Sequence, residues 1–197
     1  MKKIIILYIF IVLGLLTYFL GYAISGQVVL DKDEIALPVS IHLVNDGTVQ
    51  FTTDRDIDDI YIIFDEVNKI WSQAQITFII DDIDTFDVEN KDFYKLINGD
   101  PGEIIKNENF DRNEINGFFA RYVSANGRAL PAQGIFIIGD ITTVNDYRAT
   151  AHELGHILGL PHTNDENNLM VSGTNRELLS QEQVNVARKN ALRVYAL

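Results

Sequence analysis

The chain opens with an unbroken apolar run and then turns to shorter alternating patterns. From Ile4 to Ile24 there is no charge, and the only polar side chains are Thr17 and three tyrosines. These 21 residues, apolar on every face, are long enough to cross a bilayer, whereas the core of a removable signal is usually about 7–15 residues. Against that, Ala23-Ile24-Ser25 before Gly26 has the small-x-small form of a cleavage site. Residues 1–25 therefore read as a transmembrane anchor or a signal peptide. Lys2 and Lys3 keep the start of the chain cytoplasmic in both cases, so the remainder is expected outside the cytoplasm. Residues 26–37, with Asp31, Asp33 and Glu34, read as a polar linker, and residues 38–197 as one folded domain.

Within that domain "PVSIHLV" predicts a strand ending at the turn Asn45-Asp46-Gly47. Ile57, Ile60, Phe64, Val67, Trp71 and Ala74 follow at steps of 3, 4, 3, 4 and 3, the spacing of an amphipathic helix. "QITFIIDDI" predicts a buried strand. Residues 84–113 hold no sustained period; a short helix near Phe93 to Ile97 and a break at "NGDPG" leave the rest expected as loop. "INGFFARYV" and "GIFIIGDI" predict two more strands. At the end of the chain Ser180 with Gln183 fits a capping box, and Leu179 with Val184 a hydrophobic staple, marking a terminal helix. Strands and helices interleaved in this order predict an α/β fold: a mixed, mostly parallel sheet with a long N-terminal helix, an active-site helix and a C-terminal helix.

Composition narrows the partners. The net charge of −12 becomes −14 once the two lysines of residues 1–25 are removed, the wrong sign for nucleic acid or an anionic membrane surface. The membrane is therefore a partner only through an uncleaved N-terminal helix. A basic substrate suits the acidity, although solubility alone accounts for it more simply. With no cysteine, the domain has no disulfide and any metal must be held by nitrogen or oxygen. Asp81, Asp82, Asp84 and Asp87 offer oxygens to calcium but lack the spacing and turn glycine of a dedicated loop, so solvated surface is the stronger reading. Nothing in the sequence specifies an oligomer.

Three of the four histidines lie in "HELGHILGLPH", residues 152–162. His42, alone in a strand, reads as structural. On a helix, residues four apart project side by side, so His152 and His156 can reach one ion. A catalytic zinc takes three protein ligands, which makes His162 the third, provided that the helix stops and reverses after His156. Gly159 can take the positive φ that such a stop needs, and Pro161 prevents the helix from resuming. Glu153 is turned away from the ion but can accept a proton from water activated by it, as peptide hydrolysis requires. The competing reading is an extracytoplasmic binding module that keeps zinc without turnover; a base at Glu153 is superfluous in such a site.

"HELGHILGLPH" resembles the HExxHxxGxxH signature of the metzincin zinc endopeptidases at every fixed position. The resemblance implies a protein or peptide substrate, an α+β metzincin-like fold, and a methionine turn beneath the metal, for which Met170 in "NNLMVSG" is the candidate. "HILGLPH", "NLM" and "LSQEQ" look most like matrixins or small archaeal and bacterial metzincins. The same resemblance implies that Gly127 to Leu130 is the sheet edge along which a peptide lies, and that residues 171–176 border the pocket beyond the cleaved bond. Two departures stand out. The cysteine that usually keeps matrixins latent is missing, and Ser172 stands where some metzincins carry a tyrosine after the methionine, leaving the oxyanion to zinc and backbone donors.

Overall fold

The computed structural model describes residues 33–194, so the anchor-or-signal segment lies outside the described residues. Among the described residues no helix is long and apolar enough to cross a membrane. Strand β1 (Ile35–Asn45) pairs in parallel with β2 (Ile76–Asp87) on one side and β3 (Ile115–Ala120) on the other. Beyond β3 lies β5 (Ile135–Gly139), also parallel, and then β4 (Gly127–Leu130), antiparallel to β5. The five-stranded order β2-β1-β3-β5-β4 leaves β2 and β4 at the edges. The sheet is thus mixed and mostly parallel.

Both faces of the sheet are covered, which is why its central strands read as continuous apolar runs. One face packs on helices α1 (Ile57–Trp71), α3 (Asp146–Ile157) and α4 (Gln181–Val194), with Leu37, Val39, Ile41, Phe119, Phe136 and Ile138 turned toward them. Alternate side chains, among them Phe118, Ile135 and Ile137, enter a second core with helix α2 (Asn90–Ile97). At Gly117 a Cβ would stand 2.2 Å from the Phe136 ring, so the aromatic lies across the strand only because that position has no side chain.

Three expectations are corrected. β1 starts at Ile35 rather than Pro38, because Ile35 and Leu37 are buried in the same alternation as Val39 and Ile41. Residues 84–113 are not an open loop: β2 runs to Asp87, α2 follows, and Phe86, Phe93, Leu96, Ile97, Ile104 and Phe110 build the second core. β3 ends at Ala120, not at Val123, since the chain leaves the ladder where the Arg121 N–H donates to the Phe51 carbonyl.

The helix ends follow local chemistry. Asp56 and Asp59 cap α1 reciprocally. At α4 the Gln183 N–H donates to Ser180 Oγ at 3.2 Å, and the Ser180 N–H to Gln183 Oε1 at 2.8 Å. Arg55 ties the start of α1 to that of α3, donating to Asp140 at 3.2 Å and Asp146 at 2.8 Å. Trp71, fully buried, donates from its indole to the Ala151 carbonyl, setting the depth of α3 against α1.

Candidate active site

Helix α3 carries His152, Glu153 and His156, and its C-terminus performs the reversal that brings His162 back. The Leu160 N–H donates to the Gly155 carbonyl and the Gly159 N–H to that of His156, while Gly159 has φ +83°. This pair of bonds closes the last turn around a left-handed residue, a conformation that costs an L side chain about 1–2 kcal/mol. Asn190 on α4 adds an amide donor to the Leu158 carbonyl at 2.9 Å.

The three imidazoles then converge. His162 Nε2 is 3.1 Å from Nε2 of His152 and 3.1 Å from Nε2 of His156. Two of the rings are oriented from behind: His152 Nδ1 meets the Leu169 carbonyl at 2.8 Å and His156 Nδ1 that of Leu160 at 2.8 Å. Each Nδ1 is thereby the protonated nitrogen, and each Nε2 presents its lone pair to the common point. Zinc–nitrogen bonds of about 2.0–2.1 Å in a tetrahedron put the nitrogens roughly 3.3 Å apart, so the donor set fits that ion. Burial holds the His152 imidazolium down to about 4, and burial likewise lowers that of His156, so both rings are neutral and ready to ligate. Among the described residues these histidines form the only group of three or more ligand-bearing side chains whose donor atoms converge. Asp81, Asp82 and Asp84 instead line an acidic surface hollow with Glu108, Asp111 and Glu114, and Asp87 takes a hydrogen bond from Asn45. His42 is buried away from the cluster, between Asp84 at 2.8 Å and Asn116 at 3.0 Å.

Glu153 is 8% exposed and takes no hydrogen bond from any described residue. Burial pushes its carboxyl up to about 7, against the lowering influence of Arg148 and Arg128. Its side chain packs on β4 at Gly127, where a Cβ would stand 2.8 Å from Glu153 Cγ. Met170 lies fully buried beneath the histidines in the turn Asn168–Val171, closed by the Val171 N–H donating to the Asn168 carbonyl. A Cβ on Gly155 would come within 2.6 Å of Met170 Sδ, so the close approach of turn to helix depends on that glycine.

Two further residues complete the site, of which the sequence singled out Ser172 but not Arg148. Arg148, buried one turn before His152, donates to the carbonyls of Leu169, Val171 and Arg176 and so clamps the methionine turn to α3. Its position four residues before the first histidine was the only available signal. Ser172 Oγ is 3.3 Å from His162 Nε2. With Gly127, Arg128, Ala129 and the histidines these residues line a cleft of about 410 Å³ beneath edge strand β4.

No curated protein matches the chain by sequence. Among solved structures it is similar to archaemetzincin from Methanopyrus kandleri, at 16% identity over 84% of this chain and 100% of that one, with a TM-score of 0.54. It is also similar to metalloproteinase-II from Bacteroides fragilis, at 14% identity over 80% of this chain and 53% of that one, TM-score 0.51. A chain in a chaperone-substrate complex gives 0.59 at 14% identity over 82% of this chain, which spans only about a third (35%) of that one. These likenesses establish the metzincin-like fold. The sequence profile of the matrixins matches residues 16–194, and with its three-histidine zinc site intact the chain belongs to the matrixin family of zinc metalloendopeptidases.

Proposed function

We propose that this matrixin cuts extended protein or peptide chains outside the cytoplasm, with Glu153 as general base. The observation that carries the role of Glu153 is a buried carboxylate, without a hydrogen bond from any described residue, on the same helix turn as two converging imidazoles. A site that merely stored zinc would have no use for it.

His152, His156 and His162 would hold the ion. When bound, zinc supplies a Lewis acid that polarises the peptide carbonyl and lowers the pKa of water to about 7. A Glu153 carboxylate oxygen takes a proton from the attacking water and returns it to the nitrogen of the broken bond. The substrate lies along β4, whose outer edge has no neighbouring strand among the described residues. At Gly127 the missing side chain lets Glu153 pack directly against the strand, where a Cβ would stand 2.8 Å from its Cγ, so the base lies beside the edge that takes the substrate. The extracellular habit of matrixins and the apolar start of the chain support action outside the cell, from an anchor or after signal cleavage; N-terminal sequencing of the mature protein separates these.

The test uses the full-length chain. It is expected to hold one zinc and to degrade casein. Glu153→Ala keeps the metal while kcat falls by about 10²–10⁴. A variant with the same turnover as the parent would remove Glu153 from the mechanism.

A further inference from the structure

Edge strand β4 alternates between the two faces of the sheet. Gly127 is turned to α3, where a Cβ would meet Glu153, and Ala129 packs against the core on that face. Leu130 packs against the second core, and Arg128, in the same phase of the strand, stands exposed on that opposite face where it lines the cleft.

Its guanidinium is held in place. Nη1 donates to the Ile97 carbonyl at the end of α2 at 3.1 Å, and the group lies against Gly99, where a Cβ would stand 2.9 Å from Nη2. Gly99 has φ +95°, so the turn that follows α2 favours the one residue that also leaves this space open. The carbonyl of Ile97 engages only one of the five N–H donors of the guanidinium. Among the described residues the arginines in ion pairs are Arg55 and Arg121; no carboxylate pairs with Arg128, although acidic residues outnumber lysines and arginines 28 to 16 in the chain.

An extended peptide laid on β4 continues the sheet, so its side chains alternate between the same two faces whichever way it runs. Those on the α3 face meet the histidines and Glu153. The side chains between them emerge on the face of Arg128, and a planar carboxylate there matches the spare N–H donors of a fixed guanidinium.

We propose that Arg128 selects substrates with an aspartate or glutamate at the position opposite it on β4. The proposal rests on the reading of β4 as the substrate edge of an endopeptidase. The chain's net charge of −12 gives basic substrates the advantage at long range, so the preference for acid is confined to that one position.

The experiment uses the zinc-loaded full-length chain and quenched-fluorescence peptides in which each position around the cut is in turn Glu, Gln or Lys. At one position Glu is expected to exceed Gln in kcat/KM by about fivefold, the upper end for an exposed cross-strand ion pair, and to do so through a lower KM. Each comparison is a ratio within one protein and so is independent of the fraction folded. Arg128→Gln is expected to bring the Glu and Gln peptides level, and Arg128→Glu to make Lys the favoured residue at that same position. Loss of the contact with α2 alone would leave the parent's ranking in place. A parent that ranks the three residues alike at every position, or a preference for Glu that survives Arg128→Gln, overturns the proposal while the endopeptidase reading stands. A parent that cuts no peptide overturns both.

Discussion

Asp46 shows how much one carboxylate can organise. Its Oδ1 accepts from the backbone of Thr48 and Thr52 and from the Thr52 hydroxyl, and its Oδ2 from Thr48 Oγ1 and the Asn90 amide. Partial burial raises its pKa, but these donors outweigh burial and hold the carboxyl at about 2. A folded value below the ordinary 3.8 means that the ionised form adds stability above 3.8 and loses it as pH falls through about 2. The urea midpoint of the parent minus that of Asp46→Asn is therefore expected to be positive and constant at neutral pH, and to shrink between those two values. A difference that stayed flat down to pH 2 would show that the carboxylate is not linked to folding. At this scale the histidines were legible because four and six residues are local distances on a helix and its return loop. The approach of Ser172 to His162 was not, because it is set by a turn whose clamp, Arg148, belongs to another element.

Among elements, the decisive joint lies between α3 and the methionine turn. Arg148 supplies donors to three carbonyls there, and bonds from a charged group contribute about 1.5–3 kcal/mol each. Arg148→Met keeps the volume and removes all three. It is expected to cost on the order of 3 kcal/mol in chemical denaturation and to weaken zinc binding, since the Leu169 carbonyl also orients His152. Unchanged zinc affinity in a destabilised variant would limit Arg148 to a purely structural part. The long helix α1, the capped α4 and the apolar strands could be read in advance, because each repeats a local period or carries a terminal signature. The second core could not. Phe86, Phe93, Ile104 and Phe110 sit in a strand, a helix, a 3₁₀ turn and a loop, and no single period links them.

In the whole molecule a metal held by the three histidines would tie the end of α3 to its return loop, while both sheet faces have cores of their own. Removal of zinc is accordingly expected to leave far-ultraviolet circular dichroism nearly unchanged and to speed hydrogen exchange within residues 160–173. Global unfolding on chelation would mean that the sheet depends on the ion. The acidic balance and the absence of cysteine, both plain in the composition, fit a domain stabilised by packing and by nitrogen ligands. Its last helix has a reach beyond its own packing. Asn168 and Gln183 exchange amide hydrogen bonds in both directions, and the Leu169 N–H donates to Leu178. A single nick in the exposed stretch just after Ser172 would sever the covalent link that keeps this fastening in register. Such a clipped chain would keep every histidine, Glu153 and Met170 on one fragment, and the hold of the last helix on the methionine turn would then rest on these hydrogen bonds and packing alone.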